Sequence, residues 1–436
     1  MILMRKNQKV AEILLDKYGN ITSVEKIWEK ELLPTGVFPD NYLFGVDKEA
    51  DGDKLDAWWK NLSIPEERDG IKAGLERLGI TEPKMLKILN HGLSLTNFYW
   101  IKEPDSLVSW EDVNYFDHPF SKEMGIALLN HKAVHGSKDV IARSPDPCLN
   151  GVLSKKWNII DGKYYLQKSG KGNAKEEVFN EVLAGTIMEY AGIPHAEYAL
   201  YEEDGEIYCI SECLTDKYTE LIPLYQLIGS LPRPYVSDYK REEWEYVNTI
   251  LDHYHVKNKS LLNDMLVVDY IMADTDRHYN NISLLYNENT KEYSLSPVYD
   301  TGDSLWCRVS TKNINPADDS ITARPFTGKT TFGTWEEQKE LITDYISLTK
   351  ENLQKAVCSY LQNVAHYQEY TENRTKKIAL GILERTILLQ NYLIEKGISI
   401  PEENRVQNED KDIFEAYIEE NDWERIGEDM EEFGLE

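Results

Sequence analysis

The stretch DYIMADTDRHYNNISLLYNENTKEYSLSPVYDTGD, residues 269–303, decides how the rest of the chain is read. Asp276 and Asn281 stand five residues apart on a polar loop, TDRHYNN, that follows an apolar, helix-like run. Asp300 comes after two short β-type runs, NISLLY and EYSLSP, whose composition predicts a hairpin. With that layout one carboxylate can face an acceptor hydroxyl, while the amide and the second carboxylate hold Mg²⁺ on nucleotide phosphates. Each residue also has an ordinary reading: Asp276 as a turn residue after a helix, Asn281 as a strand leader, Asp300 as an Asx turn before Gly302. The three ordinary readings do not account for the spacing, and phosphoryl transfer does.

Around this core, His278 reads as a hydrogen-bonding prop for the loop. Arg277 reads either as a phosphate contact or as a counter-charge for the local carboxylates. Asp269 is expected to face inward and brace the loop, and Asp303 to stand behind the metal. Upstream, Lys168 closes the strand-like run KYYLQK, and Glu181 follows thirteen residues later in the helical run VFNEVLAG. A strand lysine paired with a helix glutamate can hold the α- and β-phosphates. Glu177, one turn earlier, competes for that role. A phosphate-covering turn is expected before the lysine strand, and Gly151 in LNGVLSK is its candidate. SGKGNAK, residues 169–175, lacks the G-x-x-x-x-G-K-[ST] spacing and reads as a turn. Glu212 and Cys213 stand where a small lobe would hand over to a large one and where backbone groups would meet an adenine edge. The order base, Asn, hairpin, metal carboxylate is that of protein kinases, so the residues point to an ATP-dependent kinase.

The chain has 436 residues, more than one ordinary core, and two or three domains are expected. Hydrophobic residues at 41% and charged residues at 28% fit a water-soluble protein. No apolar run approaches the ~20 residues of a membrane span. The opening MILMRKNQKVAEILLDKYGN lacks the apolar core of a secretory signal, so a cytoplasmic protein without membrane attachment is expected. Five cysteines (Cys148, Cys209, Cys213, Cys307, Cys358), none in CxxC spacing, read as reduced thiols. The net charge is −28, and residues 401–436 hold 15 acidic against 3 basic side chains, so 12 of the 28 excess charges lie there. Such a surface repels phosphate backbones and argues against direct nucleic-acid binding. In that tail Ile413, Phe414, Tyr417, Ile418, Trp423, Ile426 and Phe433 recur at helical spacing; a docking helix and a solubilising tail both fit.

Read along the chain, residues 1–133 form a mostly helical N-terminal extension, with MRKNQKVAEILLDKYG and ITSVEKIWEKEL among its helices. Residues 134–214 give strand, helix and a hairpin turning at Asp204-Gly205, the pattern of a small β-rich lobe. Residues 215–400 are predominantly helical, including one long helix through WEEQKELITDYISLTKENLQKAVCSYLQNV. Residues 401–436 are the acidic tail. The fold class expected is α+β: a bilobal, protein-kinase-like chain with a helical large lobe.

Together TDRHYNN, SPVYDTGD, KYYLQK and VFNEVLAGTIMEYAGIP resemble the HipA-like kinases, the toxin family of bacterial toxin–antitoxin systems. The resemblance covers about residues 140–390 and is most specific in D-x-H-x-x-N (Asp276, His278, Asn281) and in Tyr299-Asp300. It implies a bilobal fold, ATP and Mg²⁺. It also implies transfer to Ser or Thr of a protein, which is the chain itself or a cellular target such as a translation component, and an antitoxin partner. By the same resemblance Asp276 matches the catalytic aspartate, Asn281 and Asp300 the metal ligands, Lys168 the nucleotide lysine and Glu181 the small-lobe acid. Three departures stand out. Asn280 occupies a position that is often lysine in HipA. Cys148, Leu149 and Asn150 fill the stretch where HipA carries a regulatory serine. The first 133 residues do not read like that family's small β-rich N-terminal subdomain. Two alternatives to a protein kinase remain at this point: a nucleotide-binding pseudokinase scaffold, and a kinase with a lipid or small-molecule acceptor.

Overall fold

The computed structural model describes residues 1–39, 41–66, 68, 71–80, 83–130, 143–170, 175–238, 241–320, 333–367 and 372–420. Helix and sheet are mixed throughout. The strands are β1 (Ile2–Arg5), β2 (Gln8–Leu15), β3 (Ile21–Ile27), β4 (Tyr99–Lys102), β5 (Lys155–Ile160), β6 (Lys163–Lys168), β7 (Tyr198–Glu203), β8 (Glu206–Glu212), β9 (Thr219–Pro223), β10 (Ser283–Asn287) and β11 (Glu292–Leu295). The helices that matter below are α1 (Lys48–Asn61), α2 (Ile71–Leu78), α3 (Glu176–Tyr190), α4 (Glu242–His253), α5 (Leu261–Ile271), α6 (Trp335–Leu341), α7 (Lys350–Tyr367), α8 (Glu372–Glu395) and α9 (Asn408–Glu420). The chain divides into two compact units. The first holds Met1–Ser169, Ile210–Arg233 and Leu284–Tyr293; the second holds Gly170–Cys209, Pro234–Ser283 and Ser294–Glu436.

The first unit overturns the helices expected over MRKNQKVAEILLDKYG and ITSVEKIWEKEL, whereas α1 and α2 follow where the chain turns helical. Its opening is an antiparallel sheet in the order β3-β2-β1-β4, so the region mixes strand and helix. Three physical causes hid the strands. All four residues of β1, ILMR, are buried, so its apolar run Ile2–Met4 shows no polar alternation. Register shifts at Glu12/Ile13 and Leu14/Leu15 in the β2–β3 pairing break the two-residue period, leaving Val10, Ile13 and Leu14 at helix-like spacing. The β1–β2 turn is Lys6-Asn7, with Lys6 at φ 50° and no glycine to signal it.

Two apolar layers sandwich this sheet. Leu3, Val10, Ile13 and Tyr99 pack with Leu55, Trp58 and Trp59 of α1. On the other face Ile2, Met4 and Trp100 form one cluster with Trp110, Leu149 and Trp157. β5 and β6 form a hairpin in which Lys155 faces Lys168. The end of β8 runs on to Cys213, whose N–H is donated to the Tyr164 carbonyl at 2.8 Å. A three-stranded sheet, β11-β10-β9, completes the unit, and the hairpin expected between Asn281 and Asp300 is β10–β11.

In the second unit, β7 and β8 turn through Asp204 (φ 57°) and Gly205 (φ 78°), as the Asp-Gly pair predicts. α3 is buried over eleven of its fifteen residues. Its first turn is tied to α8, where Arg374 grips Glu176 with bonds of 2.7 and 2.6 Å. α5 is buried from Met265 to Ile271. The Arg385 guanidinium of α8 lies between the Tyr270 and Trp335 rings, 4.0 and 4.2 Å from their centroids. The single long helix expected over residues 335–364 is instead two, α6 and α7. The Asn263 side chain accepts from the backbone N–H groups of Thr343 (2.8 Å) and Asp344 (3.2 Å), a tertiary capture that ends the first helix. α9 buries Phe414 and Ile418 and exposes Ile413. Trp423, Ile426 and Phe433 of the expected tail helix lie outside the described residues. Among the described residues no helix is long and apolar enough to cross a membrane.

Candidate active site

α5 delivers Asp269, wholly buried, to the start of the polar loop. The chain then turns sharply. Ala273 sits at φ 50°, and the Asp276 N–H is donated to Asp274 Oδ1 at 2.7 Å. His278 N–H bonds to the Asp276 carbonyl and Asn281 N–H to the His278 carbonyl, each at 2.8 Å. The Asn281 side-chain amide donates back to the Asp276 carbonyl at 3.0 Å. This stack of short turns fixes Asp276 and Asn281 in one rigid loop. The Asp276 side chain stays about one-third exposed, with His278 Nε2 3.7 Å away.

Arg277 is the centre of the arrangement and points inward, not toward a phosphate. It is 1% exposed. Nε and Nη2 reach Asp269 at 2.9 and 2.8 Å. Nη1 donates to the carbonyls of Asn281 (3.1 Å) and Tyr299 (2.6 Å), and Nη2 to Thr301 Oγ1 (2.9 Å). One guanidinium therefore bonds to Asn281 itself and to both neighbours of Asp300. Burial alone would lower its pKa, but the carboxylates of Asp269 and Asp274 outweigh burial and hold it above the ordinary arginine value.

Two effects oppose each other on Asp274. Burial, reinforced by the Asp269 charge, raises its pKa well above the ordinary carboxylate range. The 3.2 Å approach of Arg277 Nη2 favours the anion. Burial prevails, because Arg277 spends its shortest side-chain bonds on Asp269. Asp274 was not singled out in the sequence; its place two residues before Asp276 on the same loop was the available signal.

Asp300 adopts φ 60°, a left-handed conformation that costs a non-glycine residue about 1–3 kcal/mol and that Asp tolerates better than most. Its N–H is donated to the Tyr198 hydroxyl at 3.1 Å. The next N–H, of Thr301, goes to Glu181 Oε2 at 2.9 Å, so buried Glu181 braces the Asp300 turn from α3. Asn180 adds bonds to the carbonyls of Gly302 (3.1 Å) and Ser304 (2.9 Å). Gly302 is required by this close approach, since a Cβ there would meet the Glu177 carbonyl at 2.7 Å. Asp303 is engaged by Arg308 through bonds of 2.7 and 2.5 Å and by the Cys307 thiol at 3.2 Å. Burial, with Asp303 nearby, pushes that thiol well above its ordinary pKa.

Asp276, Arg277, His278, Asn281, Asp300 and Glu181 thus all lie in the second unit, and Gly151, Lys168, Glu212 and Cys213 in the first. Lys168 is buried at the end of β6. Gly151 takes φ 105°. Glu212 pairs with Lys163 at 2.8 Å on the surface. Cys213 donates its N–H to the Tyr164 carbonyl at 2.8 Å. Among the described residues, no three or more His, Cys, Asp or Glu side chains gather as a metal cage. An amide oxygen and a carboxylate are hard donors of the kind that suit Mg²⁺, which keeps its waters and takes the rest of its ligands from phosphates.

Residues 149–366 match the HipA-like C-terminal domain, and the chain belongs to the HipA-like family. Over 157 residues it is 26% identical to the serine/threonine-protein kinase CtkA of Helicobacter pylori, covering 34% of this chain and 47% of that protein. The chain thus spans about half the length of this curated relative. Among solved structures, the Helicobacter pylori proinflammatory kinase CtkA is 18% identical, with a TM-score of 0.40 over 56% of this chain and 95% of the other. HipA of Shewanella oneidensis, solved with HipB and operator DNA, is 12% identical, with a TM-score of 0.45 over 96% of this chain and 95% of the other.

Proposed function

We propose that this chain is a Mg²⁺- and ATP-dependent kinase of HipA type that phosphorylates Ser or Thr of a protein. The observation that carries the reading is that one buried side chain, Arg277, ties the loop of Asp276 and Asn281 to the turn of Asp300. Asp276 would accept the proton of the attacking hydroxyl. Asn281 and Asp300 would hold the metal, whose charge would offset that of the transferring phosphoryl group. His278 and Arg277 support the loop, and Glu181 supports the Asp300 turn. Lys168 and the Gly151 turn would meet the nucleotide phosphates, and the backbone at Glu212 and Cys213 its base.

In this reading the chain is bilobal, with a small lobe over residues 134–214, a large lobe over 215–400, a preceding region 1–133 and the tail 401–436. It acts in the cytoplasm as a growth-regulating toxin. An antitoxin partner fits, since a HipA has been solved with HipB and DNA; the net charge of −28 disfavours direct DNA contact by this chain. Incubation with γ-labelled ATP, Mg²⁺ and a cell lysate should label a protein on Ser or Thr, on this chain or another. ATP binding without any labelled protein would contradict the reading.

A further inference from the structure

The sequence leaves residues 1–133 without a role. In the first unit, groups from residues 5–96 hold three segments that the proposed function assigns to the nucleotide site or to the run between its metal ligands. The first is the glycine turn. Arg68 Nε donates to the Gly151 carbonyl at 2.9 Å, and its Nη2 to the Leu149 carbonyl. Asn150 Nδ2 donates to Asn61 Oδ1 at 3.0 Å. The second is the strand exit after Cys213, where the Thr215 hydroxyl donates to the Leu95 carbonyl and Leu221 N–H to the Thr96 carbonyl at 2.8 Å. The third is the β10–β11 hairpin. Arg5 Nη1 pairs with Glu288 at 2.8 Å, Lys6 Nζ takes the other Glu288 oxygen, and Arg5 Nη2 pairs with Glu220 at 3.0 Å.

Arg68 and Arg5 are nine-tenths buried or more. A buried cation is costly, and Arg68 is the more telling case. Its Nη1 meets no acceptor in the structure, and burial, only partly offset by Asp146, lowers its pKa to about 9. What the residue gains for that cost is a planar fork that satisfies two carbonyls two residues apart, which a lysine cannot do. The turn it holds is tight: Gly151 takes φ 105°, and a Cβ there would lie 2.5 Å from Lys155 Nζ.

We infer that residues 1–102 are a positioning frame for the nucleotide site, with Arg68 setting the Leu149–Gly151 turn and Arg5 the β10–β11 hairpin. The inference rests on the kinase reading above. It gives the N-terminal sheet a part in the kinase itself, so that occupation or displacement of that sheet changes nucleotide affinity.

The test uses the full chain with Arg68→Lys. Amide exchange over residues 146–154 should quicken, exchange over α5 should not, and Mg-ATP should bind about tenfold more weakly, as expected for loss of one charge-assisted bond. The KM for ATP should rise with kcat at saturating ATP unchanged. If that variant fails to fold, Glu288→Gln, at a half-buried turn, decides in its place. It should quicken exchange over residues 284–293 and weaken Mg-ATP binding. Unchanged exchange, or quickened exchange with unchanged nucleotide affinity, would overturn the inference. Absence of nucleotide binding by the unaltered protein would sink the kinase reading instead, and the exchange measurement would still decide whether Arg68 holds the turn.

Discussion

Arg277→Lys keeps a cation beside Asp269 but removes the fork. A lysine nitrogen directed at Asp269 no longer reaches the carbonyls of Asn281 and Tyr299, which Nη1 now bonds at 3.1 and 2.6 Å. Hydrogen bonds to charged groups contribute about 1.5–3 kcal/mol each. Loss of two, partly offset by the retained ion pair and by relaxation, should cost about 3 kcal/mol. Against a total stability of about 5–15 kcal/mol the variant should still fold. The functional loss should be larger. Asn281 and the Asp300 turn lose their common anchor, and a displacement of about 1 Å at a catalytic group costs about 10²-fold. Urea unfolding measures the first quantity. Kinase assays across Mg²⁺ concentrations measure the second, as a kcat/KM about 10²-fold lower and a higher Mg²⁺ requirement. A variant destabilised as expected, yet with unaltered kcat/KM and Mg²⁺ requirement, would refute the view that Arg277 positions Asn281 and the Asp300 turn for the proposed reaction.

Asp300→Ala should abolish Mg²⁺-dependent ATP binding in calorimetry; unchanged affinity would mean that the metal is held elsewhere. Gly302→Ala, whose Cβ would meet the Glu177 carbonyl at 2.7 Å and Glu181 Cγ at 2.9 Å, should cost about 1–3 kcal/mol in urea unfolding and lower activity. Asp146 is fully buried, and desolvation, partly offset by bonds from Ser144 and Trp157, raises its carboxyl to about 6. A raised carboxyl stabilises the fold below its unfolded pKa, and that contribution is lost as pH rises from about 4 to about 6. The two-unit shift corresponds to about 3 kcal/mol. Asp146→Asn should remove that loss, so unfolding curves for the two proteins at pH 4 and pH 7 should show a pH-dependent gap; a constant gap would contradict the assignment.

The candidate site was legible in the sequence where the chemistry is local. Asp276, His278 and Asn281 share one loop, and the runs NISLLY and EYSLSP carried enough strand character to announce the hairpin before Asp300. The anchoring was not legible. Arg277 could equally have faced a phosphate, and only burial against Asp269 from α5 turns it inward. The same limit applied to the fold. α3, α5 and the Asp204-Gly205 turn follow from local periodicity and turn chemistry. The N-terminal strands do not, because β1 is buried on both faces and β2 is bulged. The break between α6 and α7 depends on Asn263, about eighty residues away in sequence, and no window of residues 335–364 contains it.

The most direct measurement is label transfer from γ-labelled ATP by the purified protein beside Asp276→Ala, at Mg-ATP concentrations that saturate both. Label on Ser or Thr with the unaltered protein, and none with the variant at equal nucleotide occupancy, is the predicted result. Equal labelling by the two proteins would contradict the assignment of Asp276 as base. No labelling by either, with ATP bound, would contradict the kinase itself.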